Sequence, residues 1–247
     1  MEFRDVSFHY PNSPKDVLSH ISFRVERGQT LAIIGATGSG KTTLISLIAR
    51  FYDATGGQVL VDGADVRGYA FDALYDRLGY VTQRAVLFSG DVESNVRFGQ
   101  SAGDASEEAV YRALDLAQAT EFVAKLPQGV HAPIAQGGAN VSGGQKQRLS
   151  IARALARQPE ILIFDDSFSA LDYRTDARLR AGLARELGDT TRIIVAQRIG
   201  TIRDADQILV LDEGKAVGMG THEELMKTCP VYQEIARSQL SSEELGA

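Results

Sequence analysis

Gly35-Ala36-Thr37-Gly38-Ser39-Gly40-Lys41-Thr42 is the stretch on which the reading of this chain turns. It satisfies G-x-x-x-x-G-K-[ST], and its flanks fit the same plan. Leu31-Ala32-Ile33-Ile34 before it is a continuous apolar run of strand length, and residues 42–51 after it read as a helix. Glycines at these spacings let successive main-chain N–H groups turn toward one anion, and the helix N-terminus adds partial positive charge. Lys41 is then expected to reach the β- and γ-phosphates of a nucleotide, and the Thr42 hydroxyl to ligate Mg2+. The alternative is a Gly-rich turn before an unrelated helix, which the strand–loop–helix order disfavours.

Ile161-Leu162-Ile163-Phe164-Asp165 lies about 120 residues downstream and supplies a second buried strand ending in an acid. Such an aspartate at a strand's carboxyl end can hold Mg2+ through water opposite a phosphate loop. Two more apolar runs, residues 193–196 and 208–211, follow with helical patterns between them, which predicts a parallel α/β sheet. The first thirty-five residues read as strands. Val6, Phe8 and Tyr10 alternate with Ser7 and His9, and Ile21, Phe23 and Val25 with Ser22 and Arg24, which predicts an antiparallel sheet with one wet face. Residues 84–158 hold no comparable buried strand. Residues 106–118 carry one apolar helix face (Ala109, Val110, Ala113, Leu114, Ala117), and 120–126 read as a short helix stopped by Pro127 and Gly129. Near the end, Thr221-His222-Glu223-Glu224 is a capping box and Pro230 suits a first helical position.

Composition sets the limits of this reading. The 247 residues are 44% hydrophobic and 23% charged, which excludes global disorder and disulfide scaffolds. Lys and Arg number 26 against 32 Asp and Glu, and a net charge of −6 argues against a nucleic-acid footprint. Cys229 is the one cysteine, so no intrachain disulfide forms and a reducing compartment is expected. No run approaches the roughly 18 apolar residues of a membrane span, and residues 1–8 lack a signal-peptide layout. The chain is expected to be soluble.

Val141-Ser142-Gly143-Gly144-Gln145, followed by Lys146-Gln147-Arg148 and a helical run to Arg157, names a family. It resembles the signature motif of ATP-binding-cassette (ABC) ATPases, placed 20 residues before Asp165. The resemblance implies one α/β domain, a P-loop NTPase (RecA-like) core with an antiparallel β-subdomain and an inserted α-helical subdomain. Its expected bounds are 1–83 and 159–240 for the core, 84–158 for the helical subdomain, and a frayed tail at 241–247. It also assigns roles. Gly35, Ala36, Thr37, Gly38, Ser39, Gly40, Lys41, Thr42 and Thr43 bind the phosphates of ATP, and Tyr10 stacks on adenine. Thr42, Gln83 and Asp165 hold Mg2+, with Gln83 linking it to the helical subdomain; Asp166, Gln197 and Gln83 are the catalytic positions. Ser142, Gly143, Gly144 and Gln145 complete a partner cassette's ATP site, and Ser169-Ala170-Leu171-Asp172 crosses that interface. The segments 87–91 and 95–99 look like exporter-type cassettes, in which a membrane domain normally precedes the cassette. Because this chain starts at the cassette, an excised domain or a separate subunit at the cytoplasmic face of the membrane is expected.

Two departures from the family pattern shape the expectation for activity. Asp166 stands where competent members carry glutamate, and Gln197 stands where they carry the switch histidine. An Asp reaches about one methylene less far, and Gln can neither become a cation nor relay a proton. With Lys41 and the 142–145 segment intact, this resembles the slow half of a heterodimeric exporter whose partner cassette keeps both residues. Gln136 replaces another usual glutamate, so its contact to a membrane domain is not carried over. Two rival readings are a non-transport ABC ATPase acting on ribosome or DNA, and an ATP-sensing regulatory cassette. The first usually brings tandem cassettes or a coiled-coil insertion, which this sequence lacks. His9, His20, His131 and His222 lack zinc-ligand spacing; Arg174, Arg178, Arg180 and Arg185 read as a solvated helix face, and Met219 and Met226 as packing.

Overall fold

The computed structural model describes residues 1–99 and 106–240. The tail at 241–247, expected to fray, lies outside the described residues. In chain order come β1 (Glu2–Phe8), β2 (Leu18–Arg24), β3 (Thr30–Ile34), α1 (Lys41–Ile48), β4 (Gly56–Val61), β5 (Ala64–Asp65) and α2 (Phe71–Tyr75). Next are β6 (Leu78–Val81), β7 (Gly90–Asp91), α3 (Val92–Arg97), α4 (Glu107–Leu116), α5 (Thr120–Ala124), β8 (Pro133–Ile134) and α6 (Gly143–Ala156). The chain ends with β9 (Ile161–Asp165), α7 (Tyr173–Glu186), β10 (Thr191–Val195), α8 (Ile199–Ile202), β11 (Gln207–Asp212), β12 (Lys215–Gly220), α9 (His222–Thr228) and α10 (Pro230–Gln239). These fall into two compact units, residues 1–78 with 189–247, and residues 79–188.

In the first unit β3 lies between β10 and β11, parallel to both, and β12 continues from β11 antiparallel. Leu31, Ala32 and Ile33 are fully buried, which is why that run lacks the alternation of a half-wet strand. A second sheet, in the order β2-β1-β4-β5, is antiparallel throughout. Its buried side takes Phe3, Val6, Phe8, Ile21 and Phe23, with the rings of Phe3 and Phe23 stacked at 4.5 Å. The spacing from Phe3 to Val6 is three rather than two. A register shift there, with Asp5 at φ 49°, returns Val6 to the buried face. Met219, expected to pack, stands 38% exposed on β12, whose outer position leaves one side open.

The second unit is mainly helical around β9 and its neighbour β6. All five residues of β9 are buried. α6 buries Leu149, Ile151 and Ala152 and packs against α3 and α4. Caps set the helix starts: the Ser106 hydroxyl accepts from Ala109 N–H at 3.1 Å at the head of α4, and Asp91 with Ser94 forms a capping box on α3. The face read for α4 is buried at Val110, Ala113, Leu114 and Ala117. On α7 the row of arginines is not wholly solvated, because Arg180 donates to Asp176 at 2.8 Å and Asp176 is 2% exposed. Among the described residues no helix is long and apolar enough to cross a membrane.

Candidate functional site

In the first unit β3 delivers the chain into the loop 35–40, and α1 starts at Lys41. Gly38 and Gly40 have φ of 83° and 100°, conformations that L side chains rarely adopt. A Cβ at Gly40 would also lie 2.7 Å from Leu18 Cδ2, whereas one at Gly38 would meet nothing within 4 Å. The loop is therefore packed on its inner side and open at Gly38, with Ala36, Thr37 and Gly38 exposed and Ser39 buried. Lys41 folds back over it: Nζ donates to Gly35 O and Ala36 O at 2.8 Å each and to Ser39 Oγ at 3.4 Å. Residues 35–43 include no acid. An open main-chain cradle, a lysine ammonium folded over it and the start of a helix together fit a bound polyphosphate.

Tyr10 joins this cradle from the strand side. Its hydroxyl lies 2.9 Å from Oγ1 of Thr43, itself 7% exposed, and its ring stands edge-on to Phe8 (5.0 Å) and Tyr52 (5.2 Å). Gln197 is exposed just beyond β10, and its main-chain oxygen accepts from Gln239 Nε2 at 2.7 Å.

In the second unit the two acids close β9. Asp165 and Asp166 are each 7% exposed, and Asp166 takes φ 47°. Gln83 Nε2 donates to Asp166 Oδ2 at 3.0 Å, so the structure brings these two sequence-expected residues together. Ser169 Oγ donates to Asp166 O at 2.7 Å, and Ser167 Oγ to Val81 O at 3.1 Å, fixing the turn after β9. The segment 142–145 heads α6. Ser142 Oγ accepts from Gln145 N–H at 3.3 Å, and Gln145 Oε1 accepts from Ser142 N–H at 2.9 Å, a reciprocal cap. Gly143 is exposed with open space where a Cβ would sit, so nothing among the described residues requires glycine there. Asp172 caps α7 through Thr175, whose hydroxyl and N–H hold its carboxyl below the usual aspartate range.

Sequence reasoning missed two supports. Gln147, 1% exposed, donates from Nε2 to Thr82 O at 3.2 Å and ties α6 to the residue before Gln83. Arg153 donates to Asn95 O, Asn95 Oδ1 and Val86 O at 2.8–2.9 Å, and its guanidinium lies over the rings of Phe88 and Phe98. Polar residues spaced along a helix offered no signal that these were the inward ones.

A family model described as ABC transporter matches residues 18–169. The chain belongs to the ABC transporter family. It is 50% identical over 241 residues to an uncharacterised ABC transporter ATP-binding protein of Mycobacterium tuberculosis, covering 97% of this chain and 41% of that one. It is 42% identical over 243 residues to an ATP-dependent lipid A-core flippase of Aromatoleum aromaticum, covering 98% and 40%. A solved bacterial Atm1-family ABC exporter with ATP bound matches with a TM-score of 0.91 and 37% identity, covering 97% of this chain and 42% of that one. The chain thus spans about two fifths of the length of these relatives. The ABC domain has the family's α/β P-loop NTPase fold, and domains of this family bind ATP with Mg2+ and act as the ATPases of transporters.

Proposed function

We propose that this ABC domain is the ATP-binding cassette of an exporter, and that its own phosphate loop holds Mg-ATP but turns it over slowly. The observation that carries the second half is Asp166, a buried carboxylate one methylene shorter than glutamate and drawn to Gln83 at 3.0 Å. Displacing a catalytic group by ~1 Å can cost about 100-fold in rate. Gln197 can donate to a γ-phosphate oxygen but has no proton to relay. Binding needs neither residue. Lys41 and the N–H groups of 35–43 meet the phosphates, and the Tyr10 ring meets adenine. Thr42, Gln83 and Asp165 would hold Mg2+, which when bound neutralises charge on the β- and γ-phosphates. Ser142, Gly143, Gly144 and Gln145 face the ATP of a second, non-identical cassette that keeps the glutamate and histidine, which accounts for a glycine with open space before it.

The partner domain in this reading is a membrane domain, at the cytoplasmic face of the membrane. The segment 87–99 turns outward the stacked rings of Phe88 and Phe98, 4.2 Å apart and 43% and 51% exposed, an apolar surface suited to cover by another domain. Relatives named as lipid A-core flippases and multidrug resistance proteins support the exporter branch. The net charge of −6 supports no nucleic-acid partner. The test is the ATPase rate of the assembled pair with substitutions in this chain alone. Asp166→Asn should change the rate modestly. Gly143→Asp, which sets a carboxylate against the partner's phosphates, should cost about 10²–10³-fold. The reverse pattern would overturn the slow-site assignment.

A further inference from the structure

The main chain around Gln197 is held from the far end of the domain. β10 stops at Val195, Gln197 and Arg198 are exposed, and α8 begins at Ile199. The first N–H groups of a helix lack intrahelical partners and are ordinarily met by the side chain of the capping residue. Here that residue is Arg198, which makes no such bond. Gln239, the last residue of α10, takes its place. Its Oε1 accepts from Ile199 N–H at 2.9 Å, while its Nε2 donates to Gln197 O at 2.7 Å. One planar amide thus grips the chain on both sides of residue 198. The helix that carries it is itself fixed: Tyr232 and Ala236 are fully buried, Tyr232 OH lies 2.8 Å from His222 Nδ1, and Gln233 Nε2 donates to Met226 O at 3.0 Å.

We propose that Gln239 is a positioning residue of the nucleotide site, holding the backbone at Gln197 so that the Gln197 side chain meets the γ-phosphate. The consequence is discrimination: the grip favours ATP and is indifferent to ADP, which has no γ-phosphate. This rests on the reading of Gln197 given above. Only an amide serves both bonds. A carboxylate at 239 would still accept from Ile199 but would oppose the Gln197 carbonyl, and an ammonium could donate but not accept. Gln239 is exposed, so its replacement should leave the fold standing.

The experiment measures affinities of the chain for Mg-ATP and Mg-ADP by calorimetry, with exchange of the Ile199 amide followed alongside. Gln239→Ala should weaken ATP about three- to tenfold, the scale of one or two net hydrogen bonds, and leave ADP unchanged. Gln239→Glu should lose ATP preference likewise, while Ile199 exchange accelerates in the alanine variant and much less in the glutamate one. Gln197→Ala should lower ATP affinity selectively, and the double substitution should be no worse than Gln197→Ala alone. An unchanged ATP-to-ADP ratio in Gln239→Ala beside a lowered one in Gln197→Ala would overturn the positioning role and leave the Gln197 reading standing, as would losses that simply multiply. An unchanged ratio in Gln197→Ala would overturn the γ-phosphate reading and the proposal with it.

Discussion

At Tyr10 the ring and the hydroxyl do separate things: the ring stands against Phe8 and Tyr52, and the hydroxyl meets Thr43 Oγ1 at 2.9 Å. Tyr10→Phe keeps the ring and should cost about 0.5–1.5 kcal/mol of stability, with ATP affinity nearly unchanged. Tyr10→Ala should weaken ATP by about 1–3 kcal/mol, the scale of base stacking, while binding of inorganic triphosphate holds. Calorimetry with both ligands and urea unfolding of both variants checks this; equal losses for ATP and triphosphate would make Tyr10 a sheet residue only. Residues of this kind were legible where chemistry is written in adjacent positions, as in 35–43 and 142–145. Links between distant positions were not. Nothing in the sequence pairs Tyr10 with Thr43, Gln83 with Asp166, or Gln147 with Thr82, because the partners are 33, 83 and 65 residues apart. Arg180 was misread for a different reason: its partner Asp176 is four residues away on the same helix, but its burial is not written in the sequence.

Helices and strands were legible in proportion to their length and to how local their caps are. β3, β9, β10 and β11 show as apolar runs, and the caps Ser106, Ser142 and Thr221 act within three residues. The two-residue strands β5, β7 and β8 are too short for a hydrophobic period, and α8 takes its cap from Gln239, 40 residues away. The segment holding α3 depends on one buried side chain. Asn95, 1% exposed, accepts from Phe88 N–H and Arg153 Nη2 and donates to Phe88 O and Asp91 O, all at 2.9 Å. Burial also pulls the Arg153 guanidinium below its ordinary pKa, so losing a polar partner there is costly. Asn95→Ala should destabilise by about 2–4 kcal/mol in urea unfolding, because each stranded buried group costs about 1–3 kcal/mol. A change under about 0.5 kcal/mol, the range of surface substitutions, would show that this network is incidental.

For the whole molecule, composition and charge only bounded the answer, and the phosphate loop with the signature segment selected the fold. The family match over residues 18–169 agrees with that selection. What the fold alone does not set is rate, which in the function proposed above depends on two side chains. In that proposal Asp166 and Gln197 each stand in for a group of different reach or chemistry, while Lys41 folds over its loop and the head of α6 is capped. The segment at α6 would let a second copy complete the site, so restoring both groups in one chain should restore turnover. The direct measurement is steady-state ATP hydrolysis by the chain and by its Asp166→Glu, Gln197→His double variant, with Mg-ATP affinity measured on both. Similar affinities are expected, with turnover by the chain below about one per second, the low end of ordinary enzymes, and a gain of about 100-fold in the double variant. Turnover of several per second by the unaltered chain, with no gain on restoration, would contradict the slow-site assignment.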